Sequence, residues 1–433
     1  MEDMGSFLTV DEACRAVSGP RSFLKRLRTI LSAEVALLKA LVKSPFEKRL
    51  VSLRDGAFIN TLVLNEHQTE KPVLVLAHGW GSGLGFFAKN LDALAGAYRI
   101  YCFDWIGSGG SSRPKFDTSM NVAESEDFFL RRFDEWTKRV GLENEKFILA
   151  GHSLGGYLAA VYALQHPERL RGLALISPFG VPDGKESQKR STTTVSSHPT
   201  GAQAPRLTMI ATASEATPNN LQSEPANDSH PTASADRLPT KYRVLRGVLR
   251  TFWKLNVTPQ RILRWTSTAS TSWSHDLISK YISRRFASSI TSVRERQLLA
   301  DYLYAISVAP GSAEYAIKTL MHPGAWARAP LMDRLTALPP TVPVVFLYGA
   351  NDWMDPDAAR TLIDKARELG NGNMCLQIVP NAGHYLFIDN PQKFNELFLQ
   401  ALSRQILGSA VVCADVTNTQ RSISSSVLNS SKA

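Results

Sequence analysis

The sequence predicts an α/β protein with a mostly parallel, doubly wound sheet. Two observations carry this prediction. The 433-residue chain is 44% hydrophobic and 20% charged, as expected of a globular protein with a large core, and its apolar runs alternate with helical stretches. Strands that alternate with helices over this length favour a parallel sheet covered on both faces. The predicted strands are Val73–Ala77, Tyr98–Phe103, Phe147–Ala150, Gly172–Ile176, Val342–Tyr348 and Met374–Val379.

The same patterns divide the chain into six segments. They are a basic amphipathic helical leader (1–50), the first part of the sheet core (51–182), a disordered low-complexity insertion (183–236), a helical lid (237–335), the second part of the core (336–407) and a disordered tail (408–433). The insertion contains no Phe, Trp or Tyr, so it cannot bury enough apolar surface to offset its ordering entropy. A helical excursion between two strands would cover the carboxyl ends of the strands, where ligands bind.

Positive charge is concentrated in residues 21–50 and 237–264, which together carry +14 against a formal net charge of +10 for the chain. In both segments apolar residues recur at roughly helical spacing between the basic ones, and the second includes Phe252 and Trp253. Such helices suit an anionic membrane or lipid-droplet surface. The alternative, that both apolar faces pack on the core, stays open. No nucleic-acid-binding motif accompanies the charge, so no nucleic-acid partner is predicted.

The four cysteines lie far apart, without a CxxC pair or a His/Cys cluster at metal-ligand spacing. Neither a disulfide framework nor a metal site is therefore predicted. Residues 1–4 lack a basic signal-like start, and no stretch approaches the ~18 uninterrupted apolar residues of a membrane span. The expected location is cytoplasmic and peripheral to membranes or lipid droplets, with the mitochondrion as a further candidate.

The central chemical signal is G-H-S-L-G at residues 151–155, which follows the predicted strand Phe147–Ala150 and precedes a helical stretch. A G-x-S-x-G sequence at a strand-to-helix turn holds its serine in a strained conformation, and the flanking glycines avoid clashes. Ser153 is therefore the predicted nucleophile. The alternative is an ordinary glycine-rich turn, which the flanking strand and helix disfavour.

A serine hydroxyl needs a base to take its proton, and the base needs a third group to orient it. His384 is the predicted base because it lies in the loop directly after the last predicted strand. Asp352 is the predicted acid, three residues after the glycine that follows the preceding strand, and Asp355 in the same loop is the alternative. The resulting chain order is serine, aspartate, histidine.

An oxyanion hole needs two backbone N–H groups aimed at the developing negative charge. Leu154, immediately after the nucleophile, is predicted to supply one. Trp80, in the loop His78–Gly81 after the first predicted strand, is predicted to supply the other. A phosphate-binding turn is the competing interpretation of this loop, but the Lys-Ser/Thr ending of a P-loop is missing. No cofactor-binding site is predicted.

These motifs, in this order, span Lys71 to Leu402 apart from the insertion, and they resemble the α/β-hydrolase family. A closer resemblance is to the branch of N-acyl-phosphatidylethanolamine lipases, plant lysophosphatidic-acid acyltransferase/phospholipases, yeast cardiolipin deacylase and the coactivator of adipose triglyceride lipase. The residues that carry this closer resemblance are Phe103–Gly109, Ser111–Pro114, Asn256–Gln260, Ser283–Phe286 and His384–Pro391. The resemblance implies the α/β-hydrolase fold and acyl-ester chemistry on lipids.

The last of these strings contains H-x-x-x-x-D, from His384 to Asp389, which in this branch has been linked to acyl transfer from acyl-CoA to lysophosphatidic acid. The same histidine would be the triad base, so the motif does not separate a transferase from a hydrolase. Asp389 has the alternative role of capping the following helix. The coactivator members carry Asn where this chain has Ser153, which favours an active lipase.

The sequence therefore predicts a serine carboxylic-ester hydrolase of the lipase or phospholipase type that acts on phospholipid or lysophospholipid acyl esters. Two alternatives stay open. One is a lysophosphatidic acid acyltransferase that takes acyl-CoA as co-substrate and makes phosphatidic acid. The other is a non-catalytic lipase coactivator at lipid surfaces.

Overall fold

The computed structural model describes residues 7–8, 21–182, 256–322 and 326–406. Four predicted features lie wholly or partly outside these residues: the start of the leader (1–6 and 9–20), the insertion (183–236), the first part of the second basic segment (237–255) and the tail (408–433). Every candidate catalytic residue lies among the described residues.

A nine-stranded sheet forms the centre of the fold. The strands of the described chain are β1 (Phe7–Leu8), β2 (Glu47–Ser52), β3 (Phe58–Leu64), β4 (Val73–Ala77), β5 (Arg99–Phe103), β6 (Phe147–His152), β7 (Leu170–Ile176), β8 (Met321–His322), β9 (Trp326–Ala327), β10 (Val344–Gly349) and β11 (Met374–Val379). The order in the main sheet is β1-β2-β3-β5-β4-β6-β7-β10-β11, and β8 and β9 pair only with each other. From β5 to β11 all neighbours are parallel, whereas β1, β2 and β3 make antiparallel pairs at one edge. The predicted mostly parallel sheet is confirmed.

Helices cover both faces of this sheet. The helices of the described chain are α1 (Arg21–Leu41), α2 (Leu91–Ala95), α3 (Val122–Arg139), α4 (Leu154–Gln165), α5 (Pro259–Ala269), α6 (Thr271–Arg285), α7 (Val293–Ser307), α8 (Ile317–Leu320), α9 (Leu331–Arg334), α10 (Pro356–Glu368), α11 (Leu386–Asp389) and α12 (Pro391–Ile406). Successive strand side chains point to opposite faces. Val73 and Val75 therefore join a core with α3, α4 and α10, while Leu74 and Leu76 join a second core with α1, α7 and α12.

Helix α3 shows how the local sequence sets these elements. The Asn121 side chain accepts a hydrogen bond from the Glu124 N–H, and the Glu124 carboxylate accepts one from the Asn121 N–H. This reciprocal capping box fixes where the helix begins. Phe129, Phe133 and Trp136 recur at helical spacing and are buried, so this face of α3 packs on the sheet.

The first basic segment differs from its prediction in two ways. Helix α1 ends at Leu41, and the chain forms β2 from Glu47 because this stretch pairs antiparallel with β3; the helical leader therefore does not reach residue 50. On the apolar face of α1, Leu27 and Ile30 are fully buried in the core that α7 also joins, and Leu31 packs partly buried against it. The prediction that the apolar face of residues 21–50 meets a membrane was wrong, because this face packs on the core.

Helices α5 to α9 lie between β7 and β10 in the chain, where the sequence predicts a helical excursion. Helix α7 also contacts α1, so the excursion is anchored on the α1 side of the sheet. Across the part of the chain that the structure describes, no helix combines the length and the apolar character needed to cross a bilayer.

Candidate active site

Ser153 lies at the turn between β6 and α4 with a φ of 54° and a ψ of −117°. A positive φ is costly for a residue with a side chain, so the surrounding structure must hold this conformation. The glycines two residues away on each side make the turn possible. A Cβ atom at Gly151 would lie 2.3 Å from the carbonyl oxygen of Gly155, and a Cβ atom at Gly155 would lie 2.3 Å from that of His78. The glycine spacing of the motif thus has a steric cause.

Asp352 and His384 come together from two different loops. The Asp352 Oδ1 atom lies 3.2 Å from the His384 Nδ1 atom, and both side chains are buried. Asp352 is held in turn by the Met354 N–H, 3.0 Å from Oδ1, and by a short hydrogen bond from the Ser177 hydroxyl. Because a carboxylate only accepts, Nδ1 carries the proton and Nε2 is the basic nitrogen of His384.

Backbone contacts join the loop after β10 to the loop after β11. The Asn351 N–H donates to the Ala382 carbonyl oxygen at 2.8 Å, and the Ala350 N–H donates to the Val379 carbonyl oxygen at 2.9 Å. At Gly349 a Cβ atom would lie 2.3 Å from the Ala382 oxygen, so only glycine permits this approach. Gly349, the glycine from which Asp352 was predicted, therefore also allows the loops of Asp352 and His384 to come together.

His152 connects the loop of His384 to the turn of Ser153, a contact that was not predicted from the sequence. Its Nε2 atom lies 2.9 Å from the His384 carbonyl oxygen, and the two rings are 4.8 Å apart between centroids. Burial lowers the pKa of His152 well below its usual range, so the ring is neutral and Nε2 donates. Because His152 immediately precedes Ser153, this hydrogen bond places the backbone of the base beside the turn that carries the serine. The only local signal for this contact in the sequence was the histidine between the glycine and the serine of the G-H-S-L-G motif.

The loop from His78 to Gly81 lies against the nucleophile turn. A Cβ atom at Gly79 would lie 3.0 Å from the Ser153 Cβ atom. Burial lowers the pKa of His78 to about 4, so the ring is neutral; its Nδ1 atom lies 2.8 Å from the Gly79 carbonyl oxygen, and its Nε2 atom accepts from the Trp105 N–H at 3.1 Å. The loop that carries the predicted donor Trp80 thus flanks Ser153, and Leu154 follows the serine as the first residue of α4.

Glu314 is a second residue that the sequence analysis missed. It lies between β7 and β10, and its carbonyl oxygen accepts from the Trp80 indole N–H at 3.0 Å. Its carboxylate accepts from the Thr258 hydroxyl at 2.7 Å and from both terminal nitrogens of Arg264. Helix α5 is thereby tied to the loop beside the serine. The sequence offered no spacing signal, because these partners lie at least 50 residues from Glu314.

The two remaining candidate acids have other partners. Asp355 caps α10 by accepting from the Asp357 N–H at 2.9 Å, whereas the hydrogen bond with His384 is made by Asp352. Asp389 accepts from the Gly383 N–H at 2.9 Å and from Arg285. The alternative that Asp389 caps the following helix was wrong. The Asn390 side chain does so, accepting from the Lys393 N–H at 3.3 Å.

Among the described residues no group of three or more His, Cys, Asp or Glu side chains is arranged to hold a metal ion.

A parallel sheet with a strained serine at a strand-to-helix turn, and an aspartate and a histidine in the loops after the last two strands, has the architecture of the α/β hydrolases. The chain belongs to this family: a sequence model described as the alpha/beta hydrolase fold matches residues 72–391.

Curated relatives agree with the branch that the sequence motifs indicate. The chain is 34% identical over 357 residues to a "Probable 1-acylglycerol-3-phosphate O-acyltransferase" of Oryza sativa subsp. japonica, covering 81% of this chain and 72% of that protein. It is 27% identical over 367 residues to the "(Lyso)-N-acylphosphatidylethanolamine lipase" of Mus musculus, covering 84% and 88%. Among solved structures, that of a membrane phospholipase A is similar in fold, with a TM-score of 0.52, 18% identity, and coverage of 88% and 91%. The resemblance drawn from the motifs is confirmed.

Proposed function

We propose that the protein is a serine carboxylic-ester hydrolase of the lipase or phospholipase type, acting on phospholipid or lysophospholipid acyl esters. One observation carries this proposal: the hydrogen bond between Asp352 and His384, in loops that His152 ties to the strained turn of Ser153. A histidine that is oriented by a buried carboxylate and lies in a loop tied to a strained serine turn is the arrangement that serine acyl transfer requires.

Each residue has a defined step in the reaction. The Ser153 oxygen attacks the ester carbonyl carbon, and His384 Nε2 takes the hydroxyl proton. The backbone N–H groups of Trp80 and Leu154 stabilise the oxyanion of the tetrahedral intermediate. When the intermediate collapses, His384 returns the proton to the departing glycerol oxygen and an acyl-enzyme remains. Water, deprotonated by His384, then releases the fatty acid and regenerates Ser153.

The names of the relatives support a glycerophospholipid substrate. One is named for a 1-acylglycerol-3-phosphate substrate and another for a (lyso)-N-acylphosphatidylethanolamine. Both names describe acyl esters with an anionic phosphate. An acyl-ester lipid of this class needs no cofactor for hydrolysis by a serine enzyme, since the acyl-enzyme is formed by side chains alone.

We propose that the second basic segment, residues 237–264, and the adjoining lid residues place the protein on an anionic membrane or lipid-droplet surface, at the cytoplasmic side. In the described part of this region, Ile262 and Trp265 are exposed on α5, and the Arg261 guanidinium lies 5.0 Å from the Trp265 ring centroid. Trp273, at the start of α6, is also exposed. Basic and aromatic side chains together suit the headgroup region of a bilayer.

A fluorophosphonate probe tests the proposed nucleophile without knowledge of the substrate. The wild-type protein should be labelled covalently at Ser153, and Ser153→Ala should not be labelled. Hydrolysis of a radiolabelled lysophospholipid should fall about 10⁴-fold or more in the same variant. Ser403→Ala, at an exposed position of α12, is the matched control and should behave as wild type. Labelling that persists in Ser153→Ala would refute the assignment.

The acyltransferase activity is the second candidate, favoured by the name of the rice relative. In that reaction Ser153 would take the acyl group from acyl-CoA, releasing the CoA thiol, and the free hydroxyl of lysophosphatidic acid would replace water to give phosphatidic acid. Purified protein incubated with labelled lysophosphatidic acid, with and without acyl-CoA, separates the candidates. Fatty-acid release independent of acyl-CoA supports hydrolysis, and phosphatidic acid formed only with acyl-CoA supports transfer. Lipid binding with neither product would indicate a coactivator.

A further inference from the structure

The carboxylate of Asp389 connects the loop that carries the base to helix α6. Its two oxygens accept from the two terminal nitrogens of Arg285, each at 2.9 Å, so the pair is bidentate. The Ser289 hydroxyl, just beyond the end of α6, adds a third bond at 3.1 Å. The remaining bond comes from the Gly383 N–H, at 2.9 Å from Oδ2. Asp389 and Arg285 are 104 positions apart in the chain.

The Gly383 N–H belongs to the residue immediately before His384. We name residues 380–385, between β11 and α11, the base loop. On one side the base loop is held by Asp389 through the Gly383 N–H, and on the other by His152 through the His384 carbonyl oxygen at 2.9 Å. The backbone on both sides of the base is thus fixed, one side by α6 and the other by the nucleophile turn.

The surroundings make this connection rigid. The Asp389 side chain is only 6% exposed, and its two oxygens accept four hydrogen bonds from protein groups. The Arg285 guanidinium lies 4.8 Å from the Phe286 ring centroid and 5.7 Å from that of Tyr385, the residue after the base. A planar guanidinium held by a fork and by two rings has little freedom to move.

We propose that Arg285 and Asp389 are positioning residues for His384, through which helix α6 holds the base loop in its reactive geometry. The inference rests on the proposed function, since it takes His384 as the base. It assigns the aspartate of the H-x-x-x-x-D string a role that serves hydrolysis and acyl transfer alike. Both of its oxygens are already occupied, so Asp389 acts on the reaction through the base loop and not on an acyl acceptor.

A double-mutant cycle tests the pair. The variants are Arg285→Ala, Asp389→Ala and the double variant, assayed with the soluble ester p-nitrophenyl butyrate so that membrane binding plays no part. A displaced base lowers transition-state stabilisation without changing ground-state binding, so kcat should fall about 10- to 100-fold with KM within twofold. Because the two side chains act as a unit, the double variant should be no slower than the slower single variant. The rate of fluorophosphonate labelling should fall in parallel.

Two further variants separate positioning from folding. Arg285→Lys keeps the charge but loses the planar fork, so its kcat should be intermediate. Arg284→Ala removes the same charge from the neighbouring exposed position and should leave kcat unchanged. Rates are normalised to the folded fraction measured by circular dichroism, since a purely structural role would lower that fraction and leave kcat of the folded protein intact.

The outcomes for the two proposals differ. A wild-type protein that the fluorophosphonate probe does not label overturns the proposed function and the positioning role with it. If the probe labels the wild type, and the Arg285→Ala and Asp389→Ala variants have the wild-type kcat, only the positioning role is overturned. The positioning role is also overturned if the Asp389→Ala variant loses acyl transfer from acyl-CoA but hydrolyses esters at the wild-type rate. In that case the aspartate would act on the acyl acceptor.

Discussion

Helix α1 and the pair α5–α6, which we call the lid hairpin (residues 259–285), share two sequence features but lie in opposite environments. Both are basic, and both carry apolar residues at helical spacing. Leu27 and Ile30 of α1 are fully buried, whereas Trp265 and Trp273 of the lid hairpin are 56% and 53% exposed. Periodic spacing thus shows that a helix has an apolar face, but not what covers that face.

A buried acid distinguishes the two regions. Glu34 lies on the buried side of α1 and is fully inaccessible to solvent; it forms an ion pair with Lys48 of β2. Asn60 and Tyr302 each donate to its carboxylate at 3.1 Å. In the lid hairpin the basic residues pair instead with acids of other segments, Arg264 with Glu314 and Arg285 with Asp389. A charged residue on the apolar face of a helix therefore indicates that the face is buried and that the charge has a partner there, because an unpaired buried charge is strongly disfavoured.

Replacing Lys48 should give the largest loss of stability. Lys48→Met leaves the buried Glu34 carboxylate, and the nearby buried carboxylate of Asp104, without their cation, which should lower the free energy of unfolding by about 3–5 kcal/mol in urea titrations at pH 7.5. Burial raises the pKa of both carboxyls, so their ionised forms are less favourable in the fold than in the unfolded chain and cost stability as the pH rises. The loss should therefore be smaller at pH 5.

The matched control for this substitution is Lys280→Met, at an exposed position of the lid hairpin. It should change the free energy of unfolding by less than about 0.5 kcal/mol, as surface substitutions do. Equal losses for the two variants, or a Lys48→Met loss that is the same at pH 5 and pH 7.5, would contradict the difference between the two regions.

A pair of apolar truncations gives the next effect. Leu27→Ala removes a side chain from the buried face of α1 and should lower the free energy of unfolding by about 2–5 kcal/mol, because it leaves a cavity in the core. Trp265→Ala removes a larger but exposed side chain and should change it by less than about 0.5 kcal/mol. Urea titrations of both variants measure the difference. A larger loss for Trp265→Ala would place the lid hairpin, and not α1, in the core.

The sequence predicted the elements around the candidate catalytic residues well because its signals are local. Strands β4 and β11 have the predicted bounds, and the other four predicted strands shift by one or two residues at their ends. The serine motif, Gly349 before Asp352, and the position of His384 after the last strand each follow from a few neighbouring residues. Parallel strands bring their carboxyl ends to one edge, so local signals were sufficient to predict that these three residues lie at the same edge of the sheet.

The partners that hold this edge could not be predicted in the same way. Arg285 and Asp389 are 104 residues apart, and Glu34 and Tyr302 are 268 apart. No spacing rule connects such residues, because their contact depends on how helices pack over the sheet. Strand β2 was missed for a related reason: its basic start continues the charge pattern of α1, and its strand conformation comes from pairing with β3.

The pH dependence of stability should also come from the α1 side of the molecule. His78, whose Nε2 atom lies 3.6 Å from the Asp104 carboxylate, has its pKa lowered to about 4 by burial. A histidine with a lowered pKa contributes stability that is present above its unfolded pKa, about 6.5, and lost as the pH falls toward 4. The contribution of His78 should change by about 1.4 kcal/mol per pH unit in this window.

His78→Asn can keep a donor to the Gly79 carbonyl oxygen while removing the titration, so the difference between wild type and this variant should shrink steadily from pH 6.5 to pH 4. His166→Asn, at a half-exposed position, is the control for the removal of a histidine ring elsewhere in the molecule. Urea titrations at half-unit intervals of pH measure both. A difference between wild type and His78→Asn that stays constant across this range would show that His78 titrates normally.

The smallest effect concerns the exposed aromatic residues of the lid hairpin. If Trp265 and Trp273 meet a bilayer, each should contribute about 1 kcal/mol to membrane affinity, because roughly half of an indole leaves water. Each Trp→Ala substitution should then weaken binding about fivefold to vesicles that contain phosphatidylserine, measured by sedimentation at 0.1 M salt. Val293→Ala, at an exposed position of α7, is the matched apolar control. If the double variant Trp265→Ala/Trp273→Ala bound these vesicles as tightly as wild type, the exposed tryptophans would not contact the membrane. Exposure of an aromatic residue would then predict a membrane contact no better than helical periodicity did for α1.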